Sequence, residues 1–523
     1  MRFHRVIFIL TAAVMLSALA GCQRTEPPVR SLSPTVLSPD IIAHVHWLGK
    51  RRLGYEATAY FLMRIWNLPQ SKQLEQQTLY KLTANSPGWL PNGARLANDD
   101  RAWLWPLLND LVQEESYLEI RQPATAGQPA QTVLAVHLSD AQSDQWFTNV
   151  SELLEPLTGV QALVYPVNHE WKLKTGRQTF SYRRLGDWTL IVSGPDPNPL
   201  ADDITARIQR DGVPFVSSGT NLWLEADLDP SRLAGCFPTL NPQLSTLNHF
   251  NLTLTGDGGN VLTHAKVALA RPLPDELAPW HLPLDFFHGP ITTLTAVRGL
   301  QPWLADWSFW RDLQTGAPPD EFFLWSEDGS PYELYAAVPL PEPARQFPAL
   351  MNWTLSSGNA LLDTNGYVSF HAAPDGNGVI WGSQPNLQPF VKFAGTPADG
   401  WLFAGLNADT NTAPQPVPPG LIQDILRRTN LVYYNWEVTG PRLQPALQVY
   451  QLARQLTHAP DLPLNSASLA CLGALIPRLG TSATIVSRTG SAELSLVRRS
   501  TVGLTSTELL LLAGWLESPN FPR

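Results

Sequence analysis

His44 and His46 lie two apart in the apolar run 41–47. On a strand both imidazoles point to one face, a placement that metal ligands use. No third ligand stands near them in sequence, so they are read as structural and no metal is expected. Three acidic pairs, Asp99-Asp100, Asp202-Asp203 and Asp320-Glu321, have the residue types of a glycosidase pair. Each sits at a predicted helix or strand start, where capping and the helix dipole account for acids. Asp257-Gly-Gly-Asn260 and Asp363-Thr-Asn-Gly366 lack the further carboxylates and terminal Glu of a calcium loop and are read as turns. No Gly-x-Ser-x-Gly elbow, Ser-x-x-Lys, His-Glu-x-x-His, phosphate loop or Gly-x-Gly-x-x-Gly occurs. No cofactor is expected.

Aromatic rings and thiols are the remaining candidates. Trp303, Trp307 and Trp310 are spaced four and three apart, so on a helix they share one face. Such a stripe either packs into the core or, exposed, takes a sugar or a protein partner. These three are the candidate binding residues. Cys236 and Cys471 form an even pair that would close a long disulfide loop in an oxidising compartment. The alternative is two packed thiols, because Leu233-Ala-Gly-Cys236-Phe and Leu469-Ala-Cys471-Leu both have the look of apolar helix segments.

The third cysteine, Cys22, has a different setting. Arg2, His4 and Arg5 precede an uncharged, mostly apolar run over 6–19, which ends in Leu19-Ala20-Gly21-Cys22. A basic stretch, a short apolar stretch and a small-residue cleavage site make an export signal, not a membrane span. The order resembles the lipobox of bacterial lipoproteins. The resemblance implies cleavage before Cys22, lipidation of its thiol and anchoring to a membrane. Gln23, a residue other than Asp after the lipid site, implies the outer membrane.

Loss of residues 1–21 removes two Arg and no acid, taking the formal charge from −9 to −11. An acidic chain without a basic stripe is not a nucleic-acid binder, and its membrane contact would rest on acyl chains. Residues 22–39, with four Pro and no apolar period, read as a tether. The body that follows is 44% apolar and 15% charged over the full chain, the composition of a well-packed globular protein.

That body reads as a repeat. Strand 41–47 has a counterpart in 291–297, and the hairpin 116–121/132–138 in 321–325/333–338. The hairpin 179–184/188–192 is matched to 367–372/379–381, strand 221–227 to 400–407, and 250–256 to 431–440. The separation shrinks steadily, from Tyr117 against Phe322 to Phe250 against Leu431, as loop deletions in one copy would produce. The expected domains are 40–275, its repeat 290–458, and a C-terminal helix–hairpin–helix over 459–523. The fold class is α+β, mainly antiparallel sheet with helices on one face. In pattern the body is similar to exported bacterial proteins of unknown function with tandem α+β units. The resulting expectation is a lipid-anchored cell-envelope protein that binds or scaffolds without catalysis, with an envelope protein or glycan as partner. The alternative is an envelope-polymer-processing hydrolase whose catalytic groups come from distant loops.

Overall fold

The computed structural model describes residues 35–522 apart from short stretches, the longest being 86–97, 237–246, 407–417 and 457–465. The lipobox lies outside the described residues. The protein is α+β with one large antiparallel sheet of 20 strands. The first ten strands are β1 (Ile41–Trp47), β2 (Ser116–Arg121), β3 (Gln131–His137), β4 (Leu163–Tyr165), β5 (Glu170–Thr175), β6 (Gln178–Leu185), β7 (Trp188–Gly194), β8 (Leu224–Leu228), β9 (Leu247–Gly256) and β10 (Val261–Leu269). The second ten are β11 (Ile291–Arg298), β12 (Glu321–Glu327), β13 (Leu334–Leu340), β14 (Phe370–Ala372), β15 (Gly378–Trp381), β16 (Phe390–Gly395), β17 (Gly400–Gly405), β18 (Leu431–Val438), β19 (Thr481–Arg488) and β20 (Glu493–Ser500).

Hydrogen bonding orders the first ten as 4-5-6-7-3-2-1-8-9-10. The second ten run 14-15-16-17-13-12-11-18-19-20, the same order. The two sets meet where β10 pairs with β20, from Val261↔Ser500 to Ala268↔Glu493. This order shifts the correspondences expected from sequence. β8 lies beside β1 as β18 lies beside β11, so 221–227 answers 431–438, not 400–407. Likewise β6 and β7 answer β16 and β17, not β14 and β15. Local turn chemistry marks where a hairpin is but not which strand it joins. The hairpin within 459–523 takes its place in the middle of the ladder, between β10 and β18.

Among the helices that cover this sheet or wall its cavities are α1 (Tyr60–Trp66), α2 (Pro69–Ala84), α3 (Asn98–Gln113), α4 (Asp140–Thr158), α5 (Pro199–Asp211), α6 (Thr439–Leu456), α7 (Ala467–Leu475) and α8 (Ser506–Leu516). Capping sets their starts. Ser139 and Gln142 close a capping box on α4, and Thr505 and Glu508 close one on α8. In the first set the sheet is covered on both faces. One face packs Val45, Leu118 and Ala226 with α1–α4 and the C-terminal helices. The other packs Tyr117, Val133 and Leu190 under α5 and Phe215. In the second set the core is Leu294, Phe323, Trp325, Tyr335 and Phe403, rich in stacked rings.

Glu321 is a buried carboxyl in this second core, 5% exposed. Its cross-strand neighbour Arg298 spends its donors on the carbonyls of Leu431, Ala278 and Thr429. Glu321 accepts only the backbone N–H of His281, at 3.1–3.2 Å, among the described residues. Burial therefore pushes its carboxyl up to about 7, with the His281 N–H offsetting part of the shift. The folded protein holds a proton there that the unfolded chain releases near pH 4.5. Stability from this group is full below that value and is lost as pH rises to about 7. Glu321→Gln should remove the slope and gain up to about 3 kcal/mol above pH 7, read by denaturant unfolding between pH 4.5 and 8.

Candidate functional site

The strand register brings together the two histidines singled out by spacing. His44 faces Glu119 on one side and Asp227 on the other, while His46 faces Tyr117 and Glu225. All six lie on the face under α5. Glu119 is 0% exposed, His44 4% and Arg207 4%. A buried carboxylate requires partners. Glu119 accepts from Tyr117 Oη at 2.5 Å, Arg121 Nε at 3.1 Å and Arg207 Nη1 at 2.8 Å. Both arginines also pair with Asp203, one turn before Arg207 on α5. Burial would lower the Arg207 guanidinium, but the Glu119 hydrogen bond and charge raise it above its ordinary value. Burial, then Glu119, raises the Tyr117 phenol. At the next row His46 Nε2 lies 2.8 Å from Glu115 Oε1, and Arg52 pairs with the other oxygen.

A β-bulge at the same place in each set, Ile41/Ala43 and Ile291/Thr293, gives a common origin for counting. From it, His44, Glu119 and Asp227 correspond to Leu294, Trp325 and Trp436. His46, Tyr117 and Glu225 correspond to Ala296, Phe323 and Tyr434. The same lattice thus carries an ionic network in one set and an aromatic core in the other. The strand order does not demand the charges. Among the described residues no group of three His, Cys, Asp or Glu is placed to hold a metal ion.

A second feature sits where the sets join. A cavity of about 430 Å³ has Leu224 of β8, Leu252 and Leu254 of β9, and Val261 and Thr263 of β10 as its floor. One wall is Trp47, Leu53, Leu62, Trp66 and Trp223; the other is Val502, Leu504 and Leu512 from the loop after β20 and from α8. The three indole N–H groups are engaged, with Val112 O, Glu75 and Thr58 Oγ1, so the rings offer apolar surface. Gly256 lies against the Trp223 ring so closely that any Cβ there would collide with it. Among the described residues, Arg498 and Glu508 are the only charged members of the lining, and they are paired to each other at 2.8 Å. Arg498 Nε also donates to Thr484 Oγ1, and Glu508 accepts the Thr505 N–H. The lining has the size and character of a small-molecule site for an uncharged apolar group.

No family model matches the chain, and no curated protein matches it. Among solved structures, crystal form III of TP0453 is similar at 10% identity and a TM-score of 0.23, covering 49% of this chain and 85% of that one. Crystal form I of TP0453 matches at 10% identity and a TM-score of 0.21, covering 49% and 84%. Likeness at this level carries no argument about fold or function.

Among the described residues, Trp310, Cys236 and Cys471 line none of the sites above. Trp310 is buried, 8% exposed, with Nε1 donating to Gly316 O at 3.3 Å, so it packs and is not an open ring. Trp307 and the Trp303 side chain lie outside the described residues. Cys236 and Cys471 are both free thiols, so the disulfide is absent from this structure. Cys471 is buried, with Ser71 Oγ 3.7 Å from its sulfur, and burial raises both thiols above their ordinary value. What spacing alone missed is Glu119, Arg207 and the cavity. Tyr117, Glu119 and Arg121 alternate on one strand and His44 and His46 on another, but only the pairing of those strands sets them in rows.

Removing one member of a buried ion cluster strands the rest. Arg207→Leu should destabilise the protein by about 3–5 kcal/mol, because Glu119 loses a charged partner in a dry site. Adding Glu119→Leu, which imitates the apolar second set, should recover at least half of that loss in urea unfolding.

Proposed function

We propose that the chain is a lipid-anchored cell-envelope protein, held at the outer membrane through Cys22, whose body is a non-enzymatic binding module. We read that body as a duplication of one ten-strand unit, with helix α7, the β19–β20 hairpin and α8 as a helix–hairpin–helix completing the second copy. The observation that carries the binding reading is the junction cavity. Its floor comes from one unit, its far wall from the end of the other, and its charges neutralise each other. An apolar ligand, or an apolar side chain of an envelope protein partner, suits such a lining; a transition state with developing charge does not.

The hydrolase reading draws on one observation. A cavity of about 420 Å³ is lined by Arg52, Glu115, His137, Asp187 and Trp188. The hydrogen bond and charge of His46, with Arg52, outweigh burial and hold the Glu115 carboxyl below its ordinary value, which suits a fixed anion rather than a proton donor. Binding is therefore the reading we adopt.

Two measurements test it. The neutral dye N-phenyl-1-naphthylamine should fluoresce on binding the full chain, and Leu512→Trp, which fills the junction cavity, should weaken that binding at least tenfold with unchanged unfolding. Equal dye affinity in the variant removes the cavity as the site. Separately, Cys22→Ser should move the protein from the membrane to the soluble fraction; unchanged fractionation defeats the anchor.

A further inference from the structure

The loop after α5 is a cover over the histidine rows, and the chain arriving from Cys22 is fastened to it. Phe215 stacks on Tyr117 at 5.0 Å and lies 5.3 Å from His44 and 5.6 Å from His46, ring centre to ring centre. Ser217 and Ser218 donate to the two oxygens of Glu225, at 2.5 and 3.1 Å. Between them and Phe215, Val216 bonds twice to the start of the described chain. Its carbonyl accepts the Thr35 N–H at 2.9 Å, and its N–H donates to Thr35 Oγ1 at 2.7 Å. Leu37 packs on the same apolar cluster as Phe215. Farther along, Pro39 O and Asp40 O accept from Arg232 and the Gln122 N–H, so the chain is tied to the body there independently.

Under this cover His44 Nε2 is buried with no hydrogen-bond partner among the described residues. The groups that face it are Glu119 and Tyr117 from β2, Glu225 and Asp227 from β8, and its own neighbour His46. Arg207 of α5 engages Glu119 and pairs with Asp203, and His249 of β9 lies 3.1 Å from Asp227. Every carboxylate in this ring has other partners; the His44 Nε2 has none among the described residues.

We propose that His44 is the trigger of an acid-released clasp: when it takes up a proton, the cover 213–218 lifts and releases residues 35–38. The proton comes from solvent, and the bonds given up are the Thr35–Val216 pair and the serine contacts to Glu225. Burial holds His44 below its ordinary 6.5, and Asp227, Glu225 and Glu119 only partly offset that. With the cover open, the imidazole is wet and titrates near 6.5. Acid therefore favours the open form, by up to about tenfold for each pH unit below that value until the covered imidazole itself protonates. On the reading that Cys22 is the anchor, the release lengthens the tether by four residues, about 13 Å of extended chain.

Position counting also supplies the control, because His44 corresponds to Leu294 and His46 to Ala296. The detergent-solubilised full chain is compared at pH 7.5 and 5.5 by hydrogen exchange, corrected for intrinsic rates. Segments 35–38 and 213–218 should exchange about three- to tenfold faster at the lower pH, with β11 and β12 unchanged. His44→Leu should abolish the response, and His46→Ala should keep it. A wild type without the response, or a His44→Leu protein that retains it, overturns the proposal. Should His44→Leu fail to fold, the imidazole titration of His44 in the wild type decides: a midpoint at or above 6.5 is equally fatal. Neither result depends on what the junction cavity binds.

Discussion

The pairing of β10 with β20 is the constraint on which the rest depends. Each is the last strand of its set, and eight residues of each lie opposite one another across the joint. Without it there would be two ten-strand sheets, each with an open edge of unpaired N–H and C=O groups. With it there is one ladder, the apolar faces of β8–β10 continue under α8, and the junction cavity has both walls. Cavity and joint are one feature viewed from two sides.

Two solutions to burial on one lattice stand side by side in this molecule. A strand covered on both faces has to fill both, and apolar residues do so at the least cost in desolvation. The second set does this with Leu294, Trp325 and Trp436. The first set places His44, Glu119 and Asp227 at those positions and then needs Arg121, Arg207, Tyr117 and the cover loop to satisfy them. These are charges that the topology does not require, and they demand support that the second set does without.

Much of the architecture was legible in sequence because it is written locally. The stretches expected as strands at 41–47, 116–121, 132–138, 179–184, 188–192, 250–256 and 291–297 fall on β1, β2, β3, β6, β7, β9 and β11. Partner choice was not legible. β8 and β17 are both short strands, of five and six residues, and nothing within either specifies the neighbour that accepts its hydrogen bonds. The same limit hid the site. Glu119 in Ser-Tyr-Leu-Glu-Ile-Arg has the pattern of an outward residue on an amphipathic strand, and α5 makes it fully buried. Trp310 shows the limit in the opposite sense, since spacing places a ring on a helix face but does not say what covers it, and Trp310 is buried.

The position of the β19–β20 hairpin has a consequence for how this chain can be made. Synthesis from the N-terminus delivers β1 to β10 first, and β20, the partner of β10, is almost the last strand to emerge. Through most of synthesis the first set must wait with one edge of its final strand unpaired, and β18 waits in the same way for β19. The last strands and α8 act as a zip drawn at the end, so the molecule closes from its middle and only after nearly all of it has been delivered. A nonsense codon before residue 481 would therefore leave two sticky edges instead of one missing tail.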